Sequence, residues 1–594
     1  MSFLLGQEIY HSQYKENKQS AHLFAIDIDA ETALNNMALG QPYAEDTYTR
    51  RSTPDRTASY FGQVSYNYDH RYLLSATFRA DGSTKFAPGN QWGYFPSVSG
   101  AWVINKEKFM KDIKWIDQLK LRAAFGLAGN NNIDADLWRF LYSTGTTGGP
   151  GFNEATTGGE LYYGTPSKYP NKDIKWETTI TRNLALDISL FRNRLNITPE
   201  IYWNTTRDLL YESTIPGVSG YTKQMQNIGR VANNGWELTV NGDILRGKDF
   251  VLSGNFTLGH NKMTIKKLNA TDGNTPLYNV TSRWKSSLEK DYVMQVGGEL
   301  GLFYGFEYDG LYTFDEFSYP AGQNFLATPN KKTTLNGLLI GGTATDGYEG
   351  NTGNGIYASS NSGDSTLPGK IRLKDRNGDG QIDENDMTVI GNTNPKWQGG
   401  FGISGQWKNF DFTANFTYML DFDVYNATAY ALSSSTKNQN DFYNVYSKFA
   451  GNRWRYTAPA GMVDGEGRNI SGETLYKDTY INNSLNIYRE MNANATLWNP
   501  ADVITNVMNS YFVEDGSFLR CTDVTIGYTL PRSIMKKIGI EKIRAYVSAS
   551  NLFILTSYSG YDPEVDVQSG LTPSMDYNRY PRSRTFSFGL NVTF

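Results

Sequence analysis

The chain is poor in the residues on which covalent and metal chemistry usually depends. Its 594 residues include one cysteine, Cys521, and four histidines. A single cysteine cannot form an internal disulfide, and none of the histidines has the spacing of a zinc site. The GxSxG, HExxH and GxxxxGK[ST] motifs of common enzymes are also missing. We therefore predict a protein that is not an enzyme and that requires no cofactor.

Long apolar segments and an excess of positive charge are missing as well. The sequence has no run of about 18 apolar residues, which excludes helical membrane spans. Its formal net charge of −4 offers no basic surface for nucleic acid. The first residues, MSFLLGQEIYHSQ, have neither a basic region nor a long apolar stretch, so they do not form a signal peptide. We expect that the chain begins inside a strand and is a fragment of a longer protein.

Alternation of apolar and polar residues is the dominant pattern that is present. In the last eleven residues, RTFSFGLNVTF, apolar residues occupy every second position and the chain ends on Phe594. A strand with this period places one set of side chains toward an apolar medium and the other toward a polar one. A soluble protein buries the apolar set in a core, whereas an outer-membrane barrel turns it toward lipid and keeps small polar residues in the lumen.

Similar segments recur along the chain and pair into hairpins. We count about 15 strands of roughly 9–12 residues, the length that a tilted strand needs to cross a bilayer. In the second arm of SYFGQVSYNYDHRYLLSATFRADGS, Arg79 and Asp81 share a face with Ser75 and Thr77. Charges on an inward face are costly in a dry core but not in a water-filled lumen. Cys521, near Asp523 at the start of a later strand, is assigned to the lumenal face as a small or buried residue.

The connections between these strands alternate in length. Short turns near Asp69, Asn193, Gly247 and Asn409, and a compact amphipathic link at 531–540, alternate with long loops at 129–172, 262–396, 423–512 and 554–581. Short periplasmic turns and long outer loops are typical of transmembrane barrels, and the 14% aromatic content suits their aromatic girdles. The long loops are rich in Gly, Asn, Ser, Thr and Tyr. That composition fits an adaptable binding surface and fits disorder equally.

One loop contains a candidate metal site, the segment DRNGDGQIDEND at residues 375–386. It matches the template of an EF-hand calcium loop, in which hard oxygen ligands converge on one cation. The position of the usual final Glu is taken by a shorter Asp, and no flanking helix pair is evident. A structural calcium ion within a long outer loop and a metal-free Gly/Asp-rich β-turn both fit the segment. The candidate ligands are Asp375, Asn377, Asp379, the carbonyl of Gln381, Asp383 and Asp386, with Gly380 at the sharp turn.

Several segments together resemble the SusC/RagA family of TonB-linked outer-membrane transporters. The most specific is SFLRCTDVTIGYTLPRSIMKKIGIEKIRAYVSASNLFILTSYSGYDPEV, residues 517–565. Within it, Phe518–Pro531, Ala549–Leu552 and Gly560–Pro563 resemble the C-terminal signature of that family. Other matching segments are FRADGSTKFAPGNQWGYFPSVSGAWVI (78–104), LKLRAAFGLAGNN (119–131) and the 375–386 loop followed by IGNTNPKW. The similarity extends in order over nearly the whole chain.

The resemblance implies a plugged outer-membrane barrel of about 22 strands that imports oligosaccharides or, in some members, peptides. It also implies a SusD-like surface lipoprotein as a lid, and TonB with ExbB and ExbD as the source of energy acting through the plug. The family's signal peptide, TonB box, plug and first strands have no counterpart in this sequence. We therefore expect residues 1–594 to form an N-terminally truncated, all-β, antiparallel barrel within outer-membrane lipid. We also expect that this chain alone neither closes the barrel nor couples to TonB.

Two other classes of function remain open from the residues alone. A barrel could act as a passive porin or as a surface adhesin. A soluble glycan-binding or glycan-cleaving β-protein would also be rich in Tyr and Trp. The sequence does not identify the residues that contact substrate under any of these hypotheses.

Overall fold

A computed structural model gives the structure of most of the chain. It describes residues 1–24, 28–42, 48–140, 143–145, 162–164, 168–215, 218, 221, 223–268, 277–280, 291–318, 328–329, 334–335, 369, 371–378, 381–382, 384–433, 436–438, 441–442, 444–473, 484–500, 508–565, 570–577 and 579–594.

Among the described residues, alternating apolar and polar positions form fourteen long strands of 9 to 24 residues. With the short strand Lys168–Tyr169, which pairs in parallel with the strand Lys223–Arg246, they make a 15-stranded sheet. The number of strands agrees with the prediction of about 15, but strands of 19 to 24 residues exceed the predicted 9–12. The long strands are β1 (Ser2–Ser12), β2 (Asp55–Tyr68), β3 (Tyr72–Ser83), β4 (Trp92–Val103), β5 (Ile116–Asn130), β6 (Glu177–Leu190), β7 (Leu195–Thr214), β8 (Lys223–Arg246), β9 (Phe250–Leu268), β10 (Trp397–Trp407), β11 (Phe410–Leu420), β12 (Phe518–Thr529), β13 (Lys542–Thr556) and β14 (Thr585–Thr593).

The chain divides into two compact units, with the boundary in the β8–β9 hairpin. The first unit contains β1 to β7, most of β8 and the end of β9, and the second unit contains the end of β8, most of β9 and β10 to β14, each in sequence order. Strands adjacent in sequence are therefore adjacent in the sheet, which is the simple up-and-down topology of a meander. Among the described residues, β1 pairs only with β2, and β14 pairs only with β13.

Long and short connections mostly alternate, as the sequence predicts. On one side they are 69–71, 104–115, 191–194, 247–249, 408–409 and 530–541, and on the other 13–54, 84–91, 131–176, 215–222, 269–396, 421–517 and 557–584. The exceptions are 84–91 and 215–222, whose eight residues are fewer than the twelve of 104–115 and of 530–541. Asp69 and His70 have φ values of 50° and 55°. Positive φ at both central residues is the geometry that lets a tight turn follow the twist of its two strands.

In the described parts of the connections there are four α-helices and many short elements. Among the described residues, no helix is both long and apolar enough to cross a membrane. The α-helices are α1 (Ala30–Asn35), α2 (Ala427–Ala431), α3 (Ser484–Asn492) and α4 (Arg532–Ile538), and the 3-10 helices are Met37–Leu39, Ile104–Lys106, Lys108–Met110, Phe314–Glu316, Glu384–Asp386, Ser447–Ala450 and Ser510–Phe512. The remaining short strands are Lys15–Lys18, Ala21–His22, Gln41–Pro42, Tyr48–Arg51, Ser143–Gly145, Tyr162–Gly164, Leu277–Val280, Tyr292–Gln295, Leu302–Gly305, Tyr308–Leu311, Phe317–Ser318, Thr328–Pro329, Thr334–Leu335, Ile371–Leu373, Gln381–Ile382, Thr388–Asn392, Asp423–Tyr425, Thr436–Asn438, Asp441–Phe442 and Val513–Asp515.

The apolar face of the long strands is left uncovered rather than packed into a core. On β14, Phe586, Phe588 and Leu590 are 59%, 80% and 63% exposed. Phe588 lies directly opposite Val547 of β13, which is also exposed. The first unit has an apolar face of its own, with the exposed residues Leu5, Tyr60, Val64, Tyr66, Leu74, Phe78, Tyr94, Val98 and Phe125. Soluble proteins rarely leave apolar patches of this size exposed, so the face is suited to an apolar solvent.

The opposite face is polar, and its charges are paired. Arg79 contacts Asp81 at 2.8 Å and Glu8 of β1 at 3.1 Å. Arg122 of β5 donates two hydrogen bonds, of 2.9 and 3.0 Å, to the Asp187 carboxylate of β6. These contacts confirm the prediction that Arg79 and Asp81 lie on the polar face.

Cys521 lies on the face opposite to the predicted one. A β-bulge in β12 falls between Cys521 and Asp523, so Asp523 pairs with Asn415 while Cys521 pairs with the next residue, Phe416. Directly paired residues share a face and adjacent residues do not, so Cys521 lies beside Phe416 and Phe553 on the apolar face. The prediction of a buried residue is confirmed, because Cys521 is fully buried. The prediction of a lumenal position is wrong, because the extra residue of the bulge reverses the alternation.

In the second unit the largest buried core lies in the long connections. Trp498, Tyr425 and Phe512 are each at most 1% exposed, although they come from distant parts of the connection 421–517. The Trp498 ring lies 4.8 Å from that of Tyr511 and 5.0 Å from that of Phe449. The described parts of these connections therefore form a packed body, which we call the loop core, around the buried residues from Tyr292 to Phe512.

Substituting a residue of the exposed apolar face tests its contact with lipid. We expect Phe588→Arg, near the middle of β14, to cost about 2–4 kcal/mol, because a guanidinium at mid-depth on the lipid face is destabilising. The adjacent Ser587→Arg, which points to the polar face, is the matched control. The measurement is the fraction of full-length protein in the outer membrane that shows heat-modifiable gel mobility. Equal yields of the two variants would contradict the assignment of the faces.

Candidate functional site

The loop core holds the last long connection, residues 557–584, in place. The backbone N–H of Tyr425 donates to the Ser574 carbonyl at 3.0 Å, and that of Thr428 donates to the Asp576 carbonyl at 2.9 Å. The Tyr292 hydroxyl donates to the Pro573 carbonyl at 2.5 Å. These contacts fix the backbone of the connection, so side chains that point away from the core are presented on a stable support.

Tyrosines of the loop core remain neutral at physiological pH. Burial among aromatic rings raises the pKa of Tyr308 to about 12, because the phenolate form would lose its hydration. The Tyr308 ring lies edge-on to Tyr511, with centroids 5.0 Å apart. Edge-to-face aromatic pairs of this kind add stability beyond that of buried area alone.

A cleft of about 390 Å³ opens within the connection 557–584. It is lined by Tyr561, Asp562, Glu564, Val565, Asp576, Arg579, Tyr580 and Arg582. Tyr561 and Tyr580 are 74% and 87% exposed, whereas Asp576 is buried. The cleft therefore combines uncovered aromatic rings with charged groups of both signs.

A buried arginine supports the floor of the cleft. Arg520 of β12 is almost fully buried, and its Nη2 donates to Asp562 Oδ1 at 2.6 Å. Its Nε lies 3.3 Å from Glu564, which also contacts Arg582 Nη2 at 2.7 Å. A buried charge is tolerated when it is paired in this way, so the network holds both carboxylates in one geometry.

Asp576 closes the other side of the cleft. Its Oδ2 accepts a 2.6 Å hydrogen bond from the Tyr558 hydroxyl. Burial raises the pKa of Asp576, and burial together with the hydrogen bond to Asp576 raises the pKa of Tyr558. Sequence reasoning missed this cleft. Its only signal was the segment Gly560–Pro563, which marks the family resemblance without revealing any chemistry.

In the first unit, the polar face of the sheet contains a wider groove of about 530 Å³. Small polar residues such as Ser65, Ser75 and Ser99 line it together with Lys120 and Arg122. Lys120 and Arg122 both contact Asp187, and Arg122 also lies 3.8 Å from Glu200, so two carboxylates of the wall balance the two positive charges. A wall of this kind offers many hydrogen-bonding groups to a polar solute.

The predicted calcium loop is only partly described. Asp386 is fully buried, and its Oδ1 accepts a 2.7 Å hydrogen bond from the Arg376 backbone N–H. Asp375 Oδ1 accepts a 2.7 Å hydrogen bond from the Gly378 N–H. The two terminal carboxylates of the motif therefore face into the loop and bind its backbone.

The remaining candidate ligands of that loop do not all fall within the described part of the chain. Asp379, Gly380 and Asp383 lie outside it, as does the side chain of Gln381. Asn377 is described, and its backbone N–H lies 3.5 Å from Asp386 Oδ1. Among the described residues, no group of three His, Cys, Asp or Glu side chains could hold a metal ion.

Known proteins with similar sequences point to one family. Residues 9–336 match the family model for the TonB-dependent receptor-like β-barrel. The chain is 30% identical to TonB-dependent receptor P3 of Formosa agariphila, over 90% of this chain and 45% of that protein. It is 28% identical to TonB-dependent receptor SusC of Bacteroides thetaiotaomicron, over 92% of this chain and 44% of that protein.

A solved structure shares the fold. The structure of the RagAB peptide transporter superimposes with a TM-score of 0.69 at 20% identity, over 100% of this chain and 53% of the matched chain. The chain thus spans about half the length of the relatives that it matches. The family consists of transporters, which confirms the prediction that the protein is not an enzyme. The chain belongs to the TonB-dependent receptor β-barrel family, in its SusC/RagA group, and is an outer-membrane protein.

Proposed function

We propose that the protein containing this chain actively imports oligosaccharides or peptides across the outer membrane. The observation that carries the proposal is the two-faced sheet, which has an uncovered apolar face and a polar, ion-paired face. A wall of this kind separates lipid from a water-filled passage. The loop core and its clefts provide the surface at which a solute could first bind.

In this mechanism no covalent bond is made or broken. Polar groups of the loops and the lumenal wall hold the solute by hydrogen bonds. Pairing of Arg122 with Asp187 and of Arg79 with Asp81 keeps the wall nearly neutral, so polar solutes are not repelled by an excess of either charge. A SusD-like lipoprotein would cover the loops as a lid. TonB with ExbB and ExbD would supply energy by acting on a plug.

Deleting the gene tests active import. We expect the deletion strain to lose uptake and growth on oligosaccharides or short peptides as sole nutrient, and the intact gene to restore both. A proton uncoupler should stop uptake in the wild type, because TonB draws on the inner-membrane proton gradient. Uptake that persists with the uncoupler would indicate a passive porin. Unchanged uptake in the deletion strain, with reduced surface adhesion, would indicate an adhesin.

Substituting a buried residue of the loop core tests whether this core supports the surface that binds the SusD-like lipoprotein. Trp498 is fully buried, so Trp498→Ala should cost about 3–5 kcal/mol and loosen the loop core. We expect the lipoprotein to stop co-purifying with this variant, while the variant retains heat-modifiable mobility. Val463→Ala, at an exposed position of the same connection, is the matched control. Full co-purification with a Trp498→Ala variant whose loops have become protease-sensitive would contradict the proposal.

We further propose that residues 375–386 bind one structural calcium ion. The support is the order of hard oxygen ligands and the inward orientation of the Asp375 and Asp386 carboxylates. The ion would stiffen the outer connection 269–396 and take no part in chemistry.

Calcium titration of the purified full-length protein tests this site. We expect calcium to bind and to slow proteolysis of the 369–392 region. Asp375→Asn should abolish both effects, because it removes the charge of the first ligand. Asp309→Asn, an exposed carboxylate outside the motif, should leave both unchanged. A protein that binds no calcium at millimolar concentration contains the metal-free turn instead.

A further inference from the structure

The cleft in the connection 557–584 contains exposed tyrosines that are not needed to attach the connection to the sheet. Arg520, Asp562 and Glu564 are enough to fix the connection to the sheet. Tyr561 and Tyr580 contribute little to this attachment, because most of each side chain is exposed to solvent. Aromatic rings presented at the mouth of a fixed cleft are typical of a binding site, since they supply a large contact area at little entropic cost.

The charges of the cleft balance one another. Asp562 and Glu564 contribute two carboxylates, and Arg579 and Arg582 contribute two guanidinium groups. Asp576 is a third carboxylate, and Arg520, which pairs with Asp562 and Glu564, is a third guanidinium group, so the six charges sum to zero. A cleft with no net charge does not attract a strongly ionic ligand, but it offers many donors and acceptors.

A neutral sugar matches this arrangement better than a peptide does. One face of a pyranose ring exposes C–H groups that can lie against a tyrosine ring, and its edge carries hydroxyl groups. Carboxylates accept hydrogen bonds from such hydroxyls, and guanidinium groups donate to their oxygens. A short peptide instead has charged termini, which need charged partners of their own, whereas the carboxylates of Asp562 and Glu564 are already paired with Arg520 and Arg582. The volume of about 390 Å³ falls in the range of small-ligand sites.

We infer that this cleft binds a neutral sugar unit of an imported oligosaccharide, with Tyr580 and Tyr561 as stacking platforms. Asp562, Glu564, Arg579 and Arg582 hydrogen-bond to its hydroxyl groups. The inference rests on the proposed import function and names its substrate class. Arg520 is a positioning residue, because it holds the carboxylates without lining the cleft.

Calorimetric titration of the detergent-purified full-length transporter tests the inference. The probes are neutral hexasaccharides of glucose, mannose, galactose and xylose, and tetra-alanine with free termini. We expect at least one hexasaccharide to bind, and Tyr580→Ala to weaken its binding about tenfold through loss of the ring contact. Tyr580→Phe should stay within about twofold of the wild type, because it keeps the ring.

Tyr577→Ala serves as the matched control, since Tyr577 is an exposed tyrosine of the same connection that does not line the cleft. It should bind sugar as the wild type does. Failure of every hexasaccharide to bind, or equal affinity of Tyr580→Ala and wild type, overturns the inference. Binding of tetra-alanine that Tyr580→Ala weakens also overturns it and identifies a peptide site.

Growth assays separate this inference from the proposed function. Uptake that is lost on deletion of the gene but unchanged in a Tyr580→Ala, Tyr561→Ala strain supports import and overturns the sugar cleft. Uptake that survives deletion overturns import. In that case, sugar binding by the purified protein that depends on Tyr580 still supports the cleft.

Discussion

The structure depends on one constraint, which is that every long strand lies between two different solvents. A β-ladder satisfies the backbone N–H and C=O groups without water, so only the side chains must differ between the two faces. On β14 the outward residues are Phe586, Phe588 and Leu590, and the inward ones are small or polar. The inward charges of β5, β6 and β7 are paired across strands, so the wall carries little net charge. The same alternation thus fixes the register, the location in the membrane and the nature of the passage.

This constraint also explains where the core lies. A sheet that turns its apolar side chains to lipid cannot use them to bury one another. The largest fully buried side chains therefore occur mainly in the connections, where Trp498, Tyr425 and Tyr488 are at most 1% exposed. In the first unit, Phe86 and Trp176, which also lie in connections, pack together in a smaller buried cluster. The connections are folded bodies because the hydrophobic effect that stabilises a soluble protein operates there.

The strands and short turns could be predicted from the sequence because their signals are local. Alternation in SYFGQVSYNYDHRYLLSATFRADGS is a property of neighbouring residues, and the turn at Asp69 and His70 requires only two positive φ angles. The loop core could not be predicted, because Tyr292, Trp498 and Met575 are close only after folding. The lumenal position assigned to Cys521 failed because a single bulge, which has no compositional signature, shifts the register of β12. For the candidate calcium loop, the order of ligands could be predicted, and the backbone hydrogen bonds of Asp386 could not.

The most specific segment of the family resemblance acquires a physical meaning from the fold. SFLRCTD and GYDPEV are about 40 residues apart in sequence, yet Arg520 of the first contacts Asp562 and Glu564 of the second. An arginine this deeply buried needs both carboxylates, since loss of one partner of a buried pair costs about 3–5 kcal/mol. The two segments are therefore halves of one interaction. That interaction joins the end of the sheet to the last long connection, and it fixes the floor of the cleft whose tyrosines face solvent.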